Sequence, residues 1–238
     1  MHRSKLTSRG STFCRAALIR ANACRFADRY SVGPRDALVG EGRFGRVHRC
    51  VDKLGDMRRA VKRIAYPREQ EKQQELVNEV DSLIVLDHPA IVRLIEYFVE
   101  GNELLLVMEL LSGPSLGDKM REKGPLTEDF AVRCLRHMLK ALFCCHCRGI
   151  AHNDVSPENF RFQSPKPDAT LKMVDFGLSE RKHPGADADA DDSEDRSLYV
   201  QKRDIWKLGE IFFAMLTGED LFPPTGSAEA RLAQATSD

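Results

Sequence analysis

Three polar residues in the second half of the chain have the types and spacing for metal-assisted chemistry. Asp154 and Asn159 lie five residues apart, and Asp175 follows a short predicted strand. A carboxylate and an amide at this spacing, with a second carboxylate on a later turn, can supply a general base and hard oxygen ligands for Mg²⁺. Each residue alone would also suit a capped turn or a polar surface, so the prediction depends on the combination.

A second set of residues, in the first half of the chain, suits the binding of phosphates. Gly40, Gly42 and Gly45 lie in a predicted strand–turn–strand, where glycine lets the backbone approach a phosphate with its N–H groups turned inward. Lys62 lies on the next predicted strand, from which its amine can reach phosphate oxygens beneath this loop. Its charge needs a carboxylate partner, and Glu79 lies on the inward face of the following helical segment.

Hydrophobic periodicity predicts the elements that must position these groups. Five strands and one helix come first, in strand segments 38–50 (a strand–turn–strand), 59–64, 91–98 and 103–111 and in a helix at 68–86. Helices follow at 115–122, 127–147 and 203–217, with short strands at 150–152, 160–162 and 171–174 and a mobile acidic loop at 183–196. The pattern predicts an α+β fold in which a small antiparallel sheet lobe precedes a helical lobe, with a ligand cleft between them.

Composition and charge exclude several classes of protein. The 238 residues carry 36 basic and 36 acidic side chains, a balance that argues against a broadly basic nucleic-acid-binding protein. No apolar run approaches the roughly 18 residues that span a bilayer, so we expect no membrane span. The seven cysteines are scattered rather than spaced as a disulfide framework, which indicates a reducing compartment and a cytoplasmic location.

Two further segments have more than one interpretation. Residues 1–27 contain six basic residues and no acid, which is typical either of an organelle transit peptide or of a flexible basic tail. Four adjacent metal-type side chains lie at Cys144–Cys147. Consecutive residues of one helix point in different directions and cannot converge on a tetrahedral ion, so we interpret this cluster as thiols at a helix end.

Taken together, the motifs resemble those of the eukaryotic protein kinases. The Gly-rich segment 39–47, the strand lysine Lys62, the segment 152–159 and the Asp-Phe-Gly run 175–177 follow one another in the order of that family's signature. The resemblance covers about residues 28–218, and Leu86–Pro89 and Pro157–Phe160 look most like the calcium-dependent and calmodulin-dependent Ser/Thr kinases.

The resemblance implies a two-lobed protein serine/threonine kinase that transfers a phosphoryl group from Mg-ATP to a protein hydroxyl. It divides the chain into a basic segment at 1–27, an ATP-binding small lobe at 28–111 and a partial large lobe at 112–238. The implied catalytic residues are Asp154, Lys62, Glu79 and Asn159, and the implied Mg²⁺ ligands are Asn159 and Asp175. The implied ATP-binding residues are Val39, Gly40, Glu41, Gly42, Phe44, Gly45, Val47, Ala60, Lys62, Met108, Glu109 and Leu111.

The resemblance also implies partners and a supporting helix. A protein is the expected substrate, and a calcium sensor is a further expected partner for which this chain contains no binding module of its own. Asp204 and Trp206 would begin a buried helix that supports the catalytic segment. We also expect the large lobe to be incomplete, which would leave Ile211, Phe212, Phe213 and Met215 of this helix exposed.

The sequence departs from the family's pattern at positions that bear on activity. Ser156 lies where the family has a lysine that reaches the γ-phosphate, and a hydroxyl cannot neutralise developing charge, which predicts a slower chemical step. Arg161 lies where the family has an apolar residue beneath adenine, and it either stacks on the base or turns away. The family's Ala-Pro-Glu docking segment is absent from 178–203. A pseudokinase or interaction scaffold that binds nucleotide with little turnover is therefore the alternative function.

Overall fold

The computed structural model describes residues 22, 24–33, 38–42, 45–66, 69–181 and 192–221. The helices are α1 (Phe26–Arg29), α2 (Gln70–Val85), α3 (Leu116–Lys123), α4 (Glu128–His146) and α5 (Asp192–Thr217). The strands are β1 (Tyr30–Val32), β2 (Leu38–Gly42), β3 (Gly45–Asp52), β4 (Met57–Ala65), β5 (Leu94–Glu100), β6 (Glu103–Glu109), β7 (Ile150–Ala151), β8 (Phe160–Phe162), β9 (Leu171–Met173) and β10 (Glu180–Arg181). Phe44 and most of segment 1–27 lie outside the described residues, and the predicted domain boundaries stay predictions.

The small lobe is built on one antiparallel sheet of six strands. Its order is β1-β3-β4-β6-β5, and β2 pairs with β3. Alternate residues of β6 pack into two separate apolar clusters, Leu104 and Leu106 into one and Leu105 and Val107 into the other. The sheet is therefore covered on both faces, which matches the period of two in a strand.

The predicted α+β fold is confirmed, with one strand more than the sequence predicted in this sheet. The additional strand is β1, whose three residues are too few to show alternation. Its Tyr30 stacks on Phe26 with ring centroids 5.3 Å apart, and Phe98 meets Phe26 edge-on at 5.6 Å. This aromatic cluster fixes the N-terminal end of the lobe against the outer face of the sheet.

The large lobe is organised around α4 and α5, which pack against each other. The inner face of α5 carries Asp204, Leu208, Ile211 and Met215, all of them buried. These positions repeat at the spacing of one helical face. The expected exposure of Ile211 and Met215 was therefore wrong, because the described large lobe covers this face, and Phe212 is partly buried against the same core.

Two further sequence predictions for α5 need correction. The loop predicted at 183–196 ends earlier, because α5 begins at Asp192, and acidic residues suit the first turn of a helix. Trp206 is not buried: its side chain lies on the outer face, 58% exposed, where its indole N–H donates to Glu210 at 2.9 Å. Among the described helices, none combines the length and the apolar composition that would carry a chain across a bilayer.

Candidate active site

A cleft of about 410 Å³ lies between the small-lobe sheet and the β8–β9 hairpin of the large lobe. Its lining residues are Val39, Gly40, Val47, Ala60, Lys62, Glu79, Leu83, Val92, Met108, Glu109, Leu111, Asp154, Ser156, Glu158, Asn159, Arg161, Val174 and Asp175. Most of the residues that the sequence predicted for catalysis and nucleotide binding are thus brought together in one place. A cleft of this size is typical of a small-molecule site.

The inner end of the cleft is a buried network of one lysine and two carboxylates. Lys62 lies on β4 opposite Val47 and Leu106, and its side chain points between the lobes. Its Nζ donates to Glu79 Oε1 at 2.6 Å and to Asp175 Oδ1 at 2.9 Å. The network joins β4, α2 and the segment after β9, so three separate parts of the chain fix the lysine.

The charges of this network perturb one another. Burial alone would lower the pKa of Lys62, but the two carboxylates outweigh burial and raise that pKa. Burial would raise the pKa of Asp175, but Lys62 outweighs it and the pKa is lowered. Burial raises the pKa of Glu79, Lys62 offsets that effect only in part, and the like charge of Asp175 raises the pKa further. Lys62 and Asp175 are therefore held charged, and Glu79 is the carboxyl that accepts a proton more readily.

Asp154 and Asn159 are joined directly in the segment before β8. The Asn159 Nδ2 group donates to the Asp154 backbone oxygen at 2.8 Å and to Asp154 Oδ2 at 2.9 Å. The backbone carbonyl of Asn159 accepts from the Val174 N–H at 2.8 Å, which brings Asp175 beside this segment and does not involve the side-chain amide oxygen. The amide thus orients the Asp154 carboxylate and leaves its own oxygen available as an acceptor.

A buried aspartate on α5 fixes the backbone at the start of the segment 152–159. Asp204 accepts the backbone N–H of His152 at 2.8 Å and that of Asn153 at 2.9 Å. His146 Nε2 lies 2.9 Å from the same carboxylate. Asn153 and Asp175 both have positive φ, 63° and 58°, a strained backbone that such contacts must maintain.

Sequence reasoning missed the role of His146. It belongs to the cluster Cys144–Cys147, in which only residue types and spacing were considered. The contact with Asp204 joins residues 58 apart, so no local pattern could have predicted it. Beside this contact, the His152 and Phe176 rings lie 5.0 Å apart, and Leu83 is buried in the same apolar cluster as Phe176.

The outer end of the cleft is mainly apolar and carries the predicted base-binding residues. Ala60 and Met108 lie opposite each other on β4 and β6, and Leu111 follows where β6 leaves the sheet. The Glu109 carboxylate is already engaged, because its Oε1 accepts from Lys172 Nζ and from the Arg93 N–H, both at 2.8 Å. The backbone N–H of Glu109 is engaged as well, because it donates to the Arg93 carbonyl at 3.0 Å.

The glycine-rich turn is described only in part. Gly40 lines the cleft, whereas Gly45 is not among the lining residues. A Cβ at Gly45 would lie 2.0 Å from the carbonyl oxygen of Arg63, so glycine is needed there for the close approach of β3 to β4. For Gly45 the sheet itself explains the residue, independently of any phosphate.

The donors around Asp175 suit Mg²⁺ better than a metal held by protein alone. Among the described residues, no group of three or more His, Cys, Asp or Glu side chains could hold a metal ion. Mg²⁺ is usually bound by one or two carboxylates together with phosphate oxygens and water. Asp175 and the amide oxygen of Asn159 fit that smaller donor set.

A second cavity, of about 500 Å³, lies on the outer side of the large lobe and shares no lining residue with the cleft. Its floor contains Phe130 and Phe162, and its rim carries Lys119, Lys123 and Arg133. Among the described residues, no carboxylate and no glycine lines it. It therefore lacks the groups for phosphate chemistry, and the cleft is the candidate active site.

Comparisons with known proteins agree with this geometry. The family model of the protein kinase domain matches residues 35–237. "Calcium-dependent protein kinase 3" of Plasmodium yoelii yoelii is 30% identical over 195 residues, which is 78% of this chain and 36% of that protein. "Calcium/calmodulin-dependent protein kinase type 1" of Macrobrachium nipponense is 33% identical over 197 residues, 79% of this chain and 56% of that protein.

A third relative gives the same picture. "Calcium-dependent protein kinase 11" of Arabidopsis thaliana is 32% identical over 207 residues, 82% of this chain and 41% of that protein. The chain thus spans 36 to 56% of the length of these three relatives. It belongs to the protein kinase domain family, and the predicted likeness to calcium-dependent and calmodulin-dependent kinases is confirmed.

Proposed function

We propose that the chain is the catalytic part of a protein serine/threonine kinase that uses Mg-ATP. The observation that carries the proposal is the buried contact of Lys62 with both Glu79 and Asp175, 2.6 and 2.9 Å long, across the cleft from the Asp154–Asn159 pair. A cation fixed by two carboxylates at the closed end of a cleft suits phosphate oxygens. Family membership and the names of the relatives support the same activity.

The proposed reaction assigns one task to each group. Asp154 accepts the proton of the substrate hydroxyl while that oxygen bonds to the γ-phosphorus and the bond from phosphorus to the β-bridging oxygen breaks, which releases ADP. Lys62 holds the α- and β-phosphates, and Glu79 holds Lys62. Asn159 and Asp175 would hold Mg²⁺, which when bound neutralises phosphate charge. Ser156 cannot add a positive charge at the γ-phosphate, so we expect slow turnover.

The test is phosphate transfer from ATP to a generic basic substrate such as myelin basic protein. Wild type should transfer phosphate, and Asp154→Asn should reduce the signal to background because the base is lost. Asp168→Asn, at an exposed position in the β8–β9 turn, is the matched control and should keep full activity. Equal signals from wild type and Asp154→Asn would disprove the kinase proposal. Nucleotide binding without Asp154-dependent transfer would support the binding scaffold instead.

We also propose a cytoplasmic location and a calcium-sensor partner. All six described cysteines are free, which suits a reducing compartment. The relatives' names refer to calcium or calmodulin, and the partner proposal extends that property to this protein. Retention of the chain on immobilised calmodulin with calcium but not with a chelator would support it, and no retention in either condition would contradict it.

A further inference from the structure

Arg161 is the feature of the cleft that the proposed reaction does not use. It is the middle residue of β8, between Phe160 and Phe162, which are both buried in the core. Because side chains alternate along a strand, Arg161 points the other way, and it lines the cleft. Arg161 therefore does not turn away from the ligand site.

The guanidinium group of Arg161 has no protein partner that would satisfy it. Its Nε is buried without a hydrogen-bond partner among the described residues. The residue directly opposite on β9 is Lys172, another cation. Its Nζ donates to the Glu109 carboxylate at 2.8 Å. A like charge across the strands and a buried donor without an acceptor are both unfavourable.

The carboxylates of the cleft are all engaged elsewhere. Their partners among the described residues are Lys62 for Glu79 and Asp175, Asn159 for Asp154, Arg121 for Glu158 and Lys172 for Glu109. Arg161 forms no salt bridge with any residue that the structure describes. Arg161 therefore lines the cleft as a cation without a carboxylate partner among the described residues.

The surroundings of Arg161 decide which part of a ligand it meets. Its backbone bridges to Ser115, just after the strand β6 leaves the sheet, and this is the apolar, outer end of the cleft. The small-lobe residues that line the cleft above this end are Val39, Val47 and Ala60. The phosphate-binding charges lie at the opposite, inner end. A flat, electron-rich ring between an aliphatic ceiling and a guanidinium floor suits both surfaces.

We propose that Arg161 is a specificity-determining residue that stacks its guanidinium group on the face of the purine base. This inference rests on the proposed function, because it deepens the nucleotide site of the same cleft. The base, rather than a carboxylate of the protein, then compensates the charge of Arg161. Binding of the nucleoside alone should depend on this residue.

The test measures dissociation constants by calorimetry for adenosine, Mg-ATP and inorganic tripolyphosphate. Arg161→Met keeps the length of the side chain and removes its charge, and it should weaken adenosine and Mg-ATP alike by about three- to thirtyfold. Tripolyphosphate should bind both proteins equally. Arg161→Lys keeps a positive charge but lacks the planar group, so its dissociation constant for adenosine should lie between those of wild type and Arg161→Met. Arg133→Met is the matched control, because Arg133 lies over the Phe130 ring at 5.1 Å outside the cleft.

Several outcomes would overturn the inference. Unchanged or tighter adenosine binding by Arg161→Met would show that the base does not need the guanidinium group. A loss confined to Mg-ATP and tripolyphosphate would make Arg161 a phosphate contact. Wild-type protein that binds no adenosine would also overturn it. Adenosine binding that depends on Arg161, without Asp154-dependent transfer, would instead keep the inference and reject the kinase activity.

Discussion

The two ends of the cleft deal with buried charge in opposite ways. At the inner end, Lys62 contacts both Glu79 Oε1 and Asp175 Oδ1 within 2.9 Å, so its charge is compensated by the protein, although Glu79 Oε2 is buried without a partner among the described residues. At the outer end, Arg161 has a buried nitrogen without a partner, and its cross-strand neighbour Lys172 takes the available carboxylate. The cation of the inner end thus has carboxylate partners before any ligand binds, whereas the cation of the outer end has none among the described residues.

The largest effect should come from breaking the inner network. Glu79→Gln leaves Lys62 with Asp175 alone, and loss of one partner from a buried ion pair should lower the free energy of unfolding by about 3 kcal/mol. Turnover should fall by about two orders of magnitude because Lys62 is then held by one contact, with Asp175, instead of two. Denaturant titration and a phosphotransfer assay measure the two effects.

The control for this change is Glu103→Gln. Glu103 also forms a 2.6 Å ion pair, with Arg63, which lies next to Lys62 on β4, but both side chains are more than 40% exposed. Exposed pairs contribute about 0–1 kcal/mol, so stability and turnover should hardly change. If the two variants behaved alike, burial of the Lys62 network would have no special importance.

A smaller effect should distinguish the two ends by pH. Because the pKa of Glu79 is raised above its ordinary value, this carboxyl gains a proton before Asp175 does as the pH falls, and Lys62 then loses one charged partner. Asp175 stays charged, since its pKa is lowered. Mg-ATP binding should therefore weaken relative to neutral pH, whereas adenosine binding at the outer end should not. The difference should be reduced in Glu79→Gln, and the same pH response in that variant would contradict this assignment.

The smallest effect concerns the helix that follows the outer end. Asp118 caps α3 together with Ser115, and hydrogen bonds from the Ser115 backbone and side chain and from Arg121 lower the pKa of Asp118 to about 2. Its contribution to stability is fully present above the ordinary pKa of 3.8 and is lost as the pH falls towards about 2. Thermal melts of Asp118→Asn should show a slightly lower Tm at neutral pH and a smaller further loss in acid. An acid response equal to that of wild type would contradict this.

The inner end could be predicted from the sequence better than the outer end. Lys62, Glu79 and Asp175 carry their chemistry in their residue types, and the order of the motifs brings them together. Arg161 left two alternatives, because whether it faces the cleft depends on the alternation of β8 and on which neighbour takes Glu109. His146 gave no signal at all, since its contact with Asp204 crosses 58 residues.

The fold shows the same division. Strands and helices with clear periodicity were predicted close to their observed bounds, whereas the three-residue β1 was missed and the start of α5 was placed too late. Trp206 was predicted to be buried because its motif resembles a core helix. Packing against α4 decides which face of α5 meets the core, and the sequence of α5 alone does not show that packing.

The bonds from the catalytic segment to Asp204 have a consequence for local unfolding. The backbone N–H groups of His152 and Asn153 are held by a helix about fifty residues further along the chain, not by a neighbouring strand. Their exchange with solvent deuterium should therefore follow the opening of α5. A fluctuation of that helix would release the strained backbone at Asn153 while the small lobe stayed intact. The segment that carries Asp154 should therefore lose its arrangement before the cleft itself unfolds.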